Sequence, residues 1–180
     1  MRIFGIDPGS RRTGYGCVET EGSRQRMVTC GAVSTAPAAG LPEKLRHIHE
    51  QLTLRIAECQ PDGVAIESLF HALNVRSALT LGQARGVAML AAVEAGVPVF
   101  EYTPAEIKVA VVGYGRAEKA QVQHMVKLLL GLSALPTPHD AADALAVAIC
   151  HVNSRAAGRA TGAVAPRSTA TSWRAYRPAR

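Results

Sequence analysis

Asp7, Glu67, Asp140 and Asp143 are the residues whose types and spacing could do chemistry. Asp7 follows Ile3, Phe4 and Ile6; Glu67 follows Val64 and Ile66; Asp143 sits among Ala141, Ala142, Ala144 and Leu145. An acid set in apolar surroundings needs a partner, because an uncompensated buried charge is costly. Asp140 and Asp143 lie three residues apart, so on a helix both point to the same side. If the strands that end in Asp7 and Glu67 are neighbours, their carboxylates converge at one sheet edge and the helix delivers two more. Four converging carboxylates repel, and some must take up protons unless a cation intervenes. Oxygen-only ligands favour Mg²⁺ or Mn²⁺ over zinc. Two such ions roughly 4 Å apart can clamp a phosphodiester, one activating water and the other stabilising the leaving 3′ oxygen. The chemistry is then in-line phosphodiester hydrolysis. Each acid also has a plainer reading: a turn at Asp7-Pro8-Gly9, a solvated strand end at Glu67, a helix N-cap at Asp140 and a dipole-matched first-turn acid at Asp143.

The elements that must position these acids are readable from periodicity and punctuation. Residues 2–7 read as a buried strand. Gly9, Gly14 and Gly16 punctuate a turn and a second strand around 15–18, and a third near 26–33 completes an antiparallel meander. Leu41-Pro42-Glu43 opens a helix whose Leu45, Ile48, Leu52 and Ile56 share a face, and Pro61 ends it. Residues 64–67 form a short strand, 75–95 a helix and 97–102 another strand. Thr103-Pro104-Ala105-Glu106 has the spacing of a capping box and opens a helix to about Val112. Helices over 117–130 and from Asp140 to about 153 follow. The order predicts an α/β fold: one mixed five-stranded sheet, antiparallel meander then parallel strands, with helices on both faces. Gly82, Ala84, Gly86, Ala88, Ala91 and Ala92 give the 75–95 helix a small-residue surface, suited either to packing on the sheet or to a dimer contact.

Composition narrows the class. The chain has 180 residues, 48% apolar and 4% aromatic, enough for one aliphatic core. The domain is placed at 1–154, and 155–180 is expected to be a disordered basic tail rich in Ala, Gly and Arg. Five arginines and no acid lie in 156–180, so residues 1–155 carry +1 of the net +6. A near-neutral body permits DNA binding without requiring it. Cys17, Cys30, Cys59 and Cys150 are scattered, without a CxxC pair, and read as small core residues in a reducing compartment. Neither a secretory signal nor a membrane span is recognisable, and a cytoplasmic location is the expectation.

The segments GIDPGSRRTGYG (5–16), AIESLF (65–70), ALTLGQARGVAMLAAV (78–93), VFEYTPAEIK (99–108), AEKAQVQHMV (117–126) and DAADALAVAICH (140–151) resemble, in the same order, the RuvC family of bacterial Holliday-junction resolvases. The likeness covers nearly all of 1–152 and none of the tail. It implies an RNase H-like fold, a homodimer, and Mg²⁺-dependent paired nicking of a four-way DNA junction in homologous recombination and DNA repair. Mn²⁺ would substitute, and two ions per site are implied. The family's acidic ligands fall on Asp7, Glu67, Asp140 and Asp143. Some relatives carry histidine at the third ligand position; His139 precedes Asp140 here and reads either as an assisting group or as a loop residue. Lys108 and Lys119 fall where the family has basic residues near the scissile phosphate. Phe70 falls where it carries an exposed aromatic that stacks on bases near the crossover, although the bare sequence allows a core phenylalanine. Arg76 and Arg85 are further candidates for DNA contact. The resemblance also implies the RuvA–RuvB branch-migration proteins as partners.

Three other readings are compatible with parts of the sequence. GIDPGS resembles the first phosphate loop of actin-like and sugar-kinase ATPases, although that architecture needs two such domains and no GxxxxGK[ST] loop is found. The acids could be caps in a non-catalytic DNA-binding module. A related nuclease could instead prefer RNA or RNA–DNA hybrids.

Overall fold

The computed structural model describes residues 1–68, 75–156 and 158. Its elements are β1 (Arg2–Asp7), β2 (Arg12–Glu21), β3 (Arg24–Ser34), α1 (Leu41–Cys59), β4 (Gly63–Glu67), α2 (Val75–Glu94), β5 (Val99–Tyr102), α3 (Pro104–Val112), α4 (Lys119–Leu129) and α5 (His139–Ala156). The strands form one mixed sheet in the order β3-β2-β1-β4-β5. The β1–β2 and β2–β3 pairs are antiparallel, and β1–β4 and β4–β5 are parallel. This is the expected architecture, with β2 considerably longer than the sequence pattern indicated and β3 extended by three residues. Glycines at 14, 16 and 31 and polar residues near the hairpin interrupt the alternation there, while pairing continues across them.

Alternation along the strands divides the core in two. Ile3, Val18 and Ala65 face one side, where they meet α3, α4 and α5. Phe4, Ile6, Cys17, Val64 and Ile66 face the other, beneath α1 and α2. Helix α1 buries Ile48, Leu52, Ile56 and Cys59, the stripe expected of an amphipathic helix, and stops at Gln60 in the left-handed region (φ 47°). Helix α3 has the anticipated capping box: Glu106 N donates to Thr103 Oγ1 at 3.2 Å, and Thr103 N donates to Glu106 Oε2 at 2.7 Å.

Helix α5 runs across the sheet centre. From Ala141 to Val152 every residue except Asp143 is buried. Its backbone lies directly on β1 and β2, because the residues beneath it lack side chains. A Cβ on Gly5 would stand 2.0 Å from the Ala144 carbonyl oxygen, and one on Gly14 would stand 1.9 Å from that of Asp140. Only glycine permits this approach. The helix extends to Ala156, two residues beyond the expected domain boundary. The remainder of the predicted tail, apart from Gly158, lies outside the described residues. Cys17, Cys59 and Cys150 are buried and Cys30 is partly buried, all as free thiols. No helix among the described residues is long and apolar enough to cross a membrane.

Candidate functional site

Asp7 and Glu67 close adjacent parallel strands. The β1–β4 register pairs Ile6 with Ile66, which leaves the two acids side by side at the carboxyl edge. The turn after Asp7 is pinned by buried Thr13, whose hydroxyl donates to the Gly9 carbonyl at 2.7 Å and accepts from Gly9 N at 3.3 Å. Asp7 also pairs with Gly14 across β1–β2, and Gly14 lies under Asp140. The glycine contact thus sets the first turn of α5 against the end of β1.

Asp7, Glu67 and Asp143 line one cleft of about 340 Å³, with Lys108 from α3 and Lys119 from the start of α4. Ile107, Val122 and Ala146 supply part of its apolar wall. Lys119 Nζ donates to Asp143 Oδ2 at 3.2 Å, and this ion pair is the main reason the lysine is held above its ordinary pKa. Burial, reinforced by the charges of Glu67 and Asp143, pushes Asp7 up to about 8. Glu67 is also raised, chiefly by burial, although its hydrogen bond with Asp7 works in the opposite direction. At neutral pH the Asp7–Glu67 pair therefore holds a proton between its carboxyl oxygens.

Asp140 is not among the residues that line this cleft. Its carboxylate accepts from Arg12 Nη1 at 3.3 Å and lines an adjoining cleft instead. The two acids of α5 have different cationic partners, Asp143 pairing with Lys119 and Asp140 with Arg12. His139 is exposed, and its Nδ1 meets the Gln123 amide. Arg76 is exposed on the first turn of α2. Arg85 is ion-paired with Glu101 on β5. Phe70 lies outside the described residues. The sequence reading missed Arg12; its only signal was proximity to Asp7, since nothing local links it to a residue 128 positions away.

The donor set suits a hard divalent cation: it is all oxygen, and burial, reinforced by neighbouring acids, raises both Asp7 and Glu67. Among the described residues no three His, Cys, Asp or Glu side chains stand as a ready-made cage. The reason is visible in the partners. Lys119 and Arg12 are paired with two of the acids, and the other two are hydrogen-bonded to each other. Cation binding would exchange that hydrogen bond and those pairs for metal–oxygen bonds.

The five-stranded sheet and its edge cleft of acids define an RNase H-like domain of the nuclease type. A sequence profile described as crossover junction endodeoxyribonuclease RuvC matches residues 3–151. A crossover junction endodeoxyribonuclease RuvC of Trichlorobacter lovleyi is 57% identical over 179 residues, spanning 99% of this chain and 100% of the relative. Thermus thermophilus RuvC superposes with a TM-score of 0.82 at 36% identity, covering 89% of this chain and 99% of that one. The same protein in complex with Holliday junction substrate gives 0.82 at 34% identity, with the same coverage. The chain belongs to the RuvC family of crossover junction endodeoxyribonucleases.

Proposed function

We propose that this chain resolves four-way DNA junctions by paired, symmetric, Mg²⁺-dependent nicks, working as a homodimer in recombination and repair. The carrying observation is the meeting of Asp7, Glu67 and Asp143 with Lys108 and Lys119 in one cleft, in a member of this family. The relative bound to Holliday junction substrate supports the choice of DNA.

Asp7, Glu67 and Asp143 are the residues that would hold Mg²⁺, or Mn²⁺ in its place, and Asp140 would join them on turning from Arg12. When bound, two such ions would neutralise phosphate charge and lower the pKa of water. The protein's own groups do the rest. Lys108 and Lys119 face the same cleft and can neutralise and hold the phosphate of the strand to be cut. The apolar part of the wall lowers the local dielectric and strengthens these interactions. The proton shared by Asp7 and Glu67 must leave before both can act as anions.

Two nicks require two sites, and a twofold dimer matches a junction of approximate twofold symmetry. The outer face of α2 supports dimer formation. Val75, Leu79 and Val93 are 76%, 65% and 64% exposed, and open space surrounds Gly82 and Gly86 between them. Phe70 as a base-stacking residue, and Arg76 and Arg85 as DNA contacts, belong to this proposal, as do the RuvA–RuvB partners. For Arg85 the contact would require release from Glu101.

The test is incubation of a synthetic four-way junction with Mg²⁺ and mapping of both strands. Paired nicks at symmetric positions are expected, absent with EDTA and weak on linear duplex or RNA–DNA hybrid. Equal cutting of all substrates would overturn junction selectivity. Junction binding without any cutting would favour a non-catalytic module.

A further inference from the structure

A second cleft, of about 570 Å³, lies across the first turn of α5 from the acidic one. Arg11, Arg12 and Lys44 line it, together with Ser34, Thr35 and the carboxylate of Asp140. Three cations against one acid give it the opposite character to its neighbour. Its basic groups are held in place by the backbone. Thr35 N donates to the Arg11 carbonyl at 3.1 Å, and Thr35 Oγ1 donates to that of Ser10 at 2.9 Å. These bonds fix the loop that carries Arg11 to the end of β3, where Arg12, the first residue of β2, pairs with Ser34. Lys44 Nζ donates to the Pro37 carbonyl at 3.3 Å, so its ammonium sits at the cleft from the start of α1. Among the described residues Arg11 and Lys44 have no carboxylate partner, and Arg11 is exposed.

Resting on the nuclease reading above, we propose that the Arg11–Arg12–Lys44 cleft is a second seat for the DNA backbone, taking a phosphate next to the strand held in the acidic cleft. The two clefts share α5's first turn, with Asp143 in one and Asp140 in the other. A strand crossing that turn meets Lys108 and Lys119 on one side and this basic seat on the other. A phosphate there competes with Asp140 for Arg12, whose Nη1 is 3.3 Å from that carboxylate. Filling the seat therefore loosens the contact between Arg12 and Asp140. Neither effect reads bases; the seat adds affinity and register.

The experiment measures binding of the full chain to a labelled four-way junction in EDTA, titrated between about 50 and 300 mM salt. The variants are Arg11→Ala/Lys44→Ala, Lys44→Ala alone, and Arg24→Ala at the opposite end of β3. Wild-type affinity is expected to fall steeply with salt. The double variant should bind roughly tenfold more weakly, with a log–log slope shallower by about 1–2. Lys44→Ala should show part of that change, and Arg24→Ala none. Thermal melting of each variant separates lost contacts from lost fold. A double variant matching wild type in affinity and slope would overturn the seat. So would an Arg24→Ala effect of equal size, which would mean diffuse charge. A wild-type chain that does not bind the junction at all would defeat the nuclease reading, and this proposal with it.

Discussion

Replacing Asp7 by Asn should abolish cutting and yet stabilise the metal-free protein at alkaline pH. In the folded chain Asp7 titrates near 8, against 3.8 ordinarily, because it is buried beside Glu67 and Asp143. Between those values the unfolded chain has released its proton and the folded one has not, so stability falls as pH rises and levels off above about 8. An unrelaxed shift of that size corresponds to roughly 6 kcal/mol. Sharing the proton with Glu67, and water in the cleft, reduce the recoverable part to about 1–3 kcal/mol. For a domain of this size that is a rise in melting temperature of roughly 3–10 °C. The assay is a set of melts in EDTA from pH 5 to pH 9, for wild type and Asp7→Asn. The difference should be small at the acid end and grow towards the alkaline end in favour of the variant. Added Mg²⁺ should stabilise wild type and leave the variant unchanged. Cleavage should fall about 10³-fold or more while junction binding in EDTA persists. A variant less stable than wild type at pH 9, or a gap that does not vary with pH, would refute the picture of crowded acids.

Gly14→Ala should lift α5 from β2, costing about 1–3 kcal/mol or more and slowing cleavage beyond what the lost stability explains; denaturant melts and single-turnover rates on the same preparation would check this. Lys119→Met frees Asp143, so Mn²⁺ should bind the DNA-free protein a few-fold more tightly by calorimetry while junction cleavage slows about 10- to 100-fold. Unchanged metal affinity would mean that the ion pair does not compete. Burial lowers His151 to about 4, so the stability that comes from keeping it neutral is complete above 6.5 and lost as pH falls towards 4. His151→Leu should flatten that acid limb in pH-dependent melts, even though it removes the 2.8 Å hydrogen bond to Tyr102.

The parts of this molecule that were legible in the sequence are those governed by local chemistry. The Thr103–Glu106 cap, the α1 stripe and the acids at the ends of β1 and β4 each follow from a few adjacent residues, and the structure places them as expected. Asp143 stood out for the same reason: it interrupts an apolar run, and it is the one position between Ala141 and Val152 that is not buried. Asp140 shows where local reasoning stops. Its spacing from Asp143 correctly put both on the first turns of α5, but its carboxylate follows Arg12, a partner 128 residues distant. The length of β2 was hidden for a related reason. Gly14 and Gly16 look like strand breakers in isolation, and they make sense only once α5 is seen lying on top of them.

That contact between helix and strand has a consequence for how the site can change over evolution. The spacing between the acids of the sheet and those of α5 is gauged by main-chain atoms in touch, which every amino acid shares, and not by the size of any side chain. Substitutions throughout the two cores can adjust packing without altering that gauge. Conversely, a single methyl group inserted at the seam would displace Asp140 and Asp143 together, so the site can tolerate wide drift around it and almost none at Gly5 or Gly14.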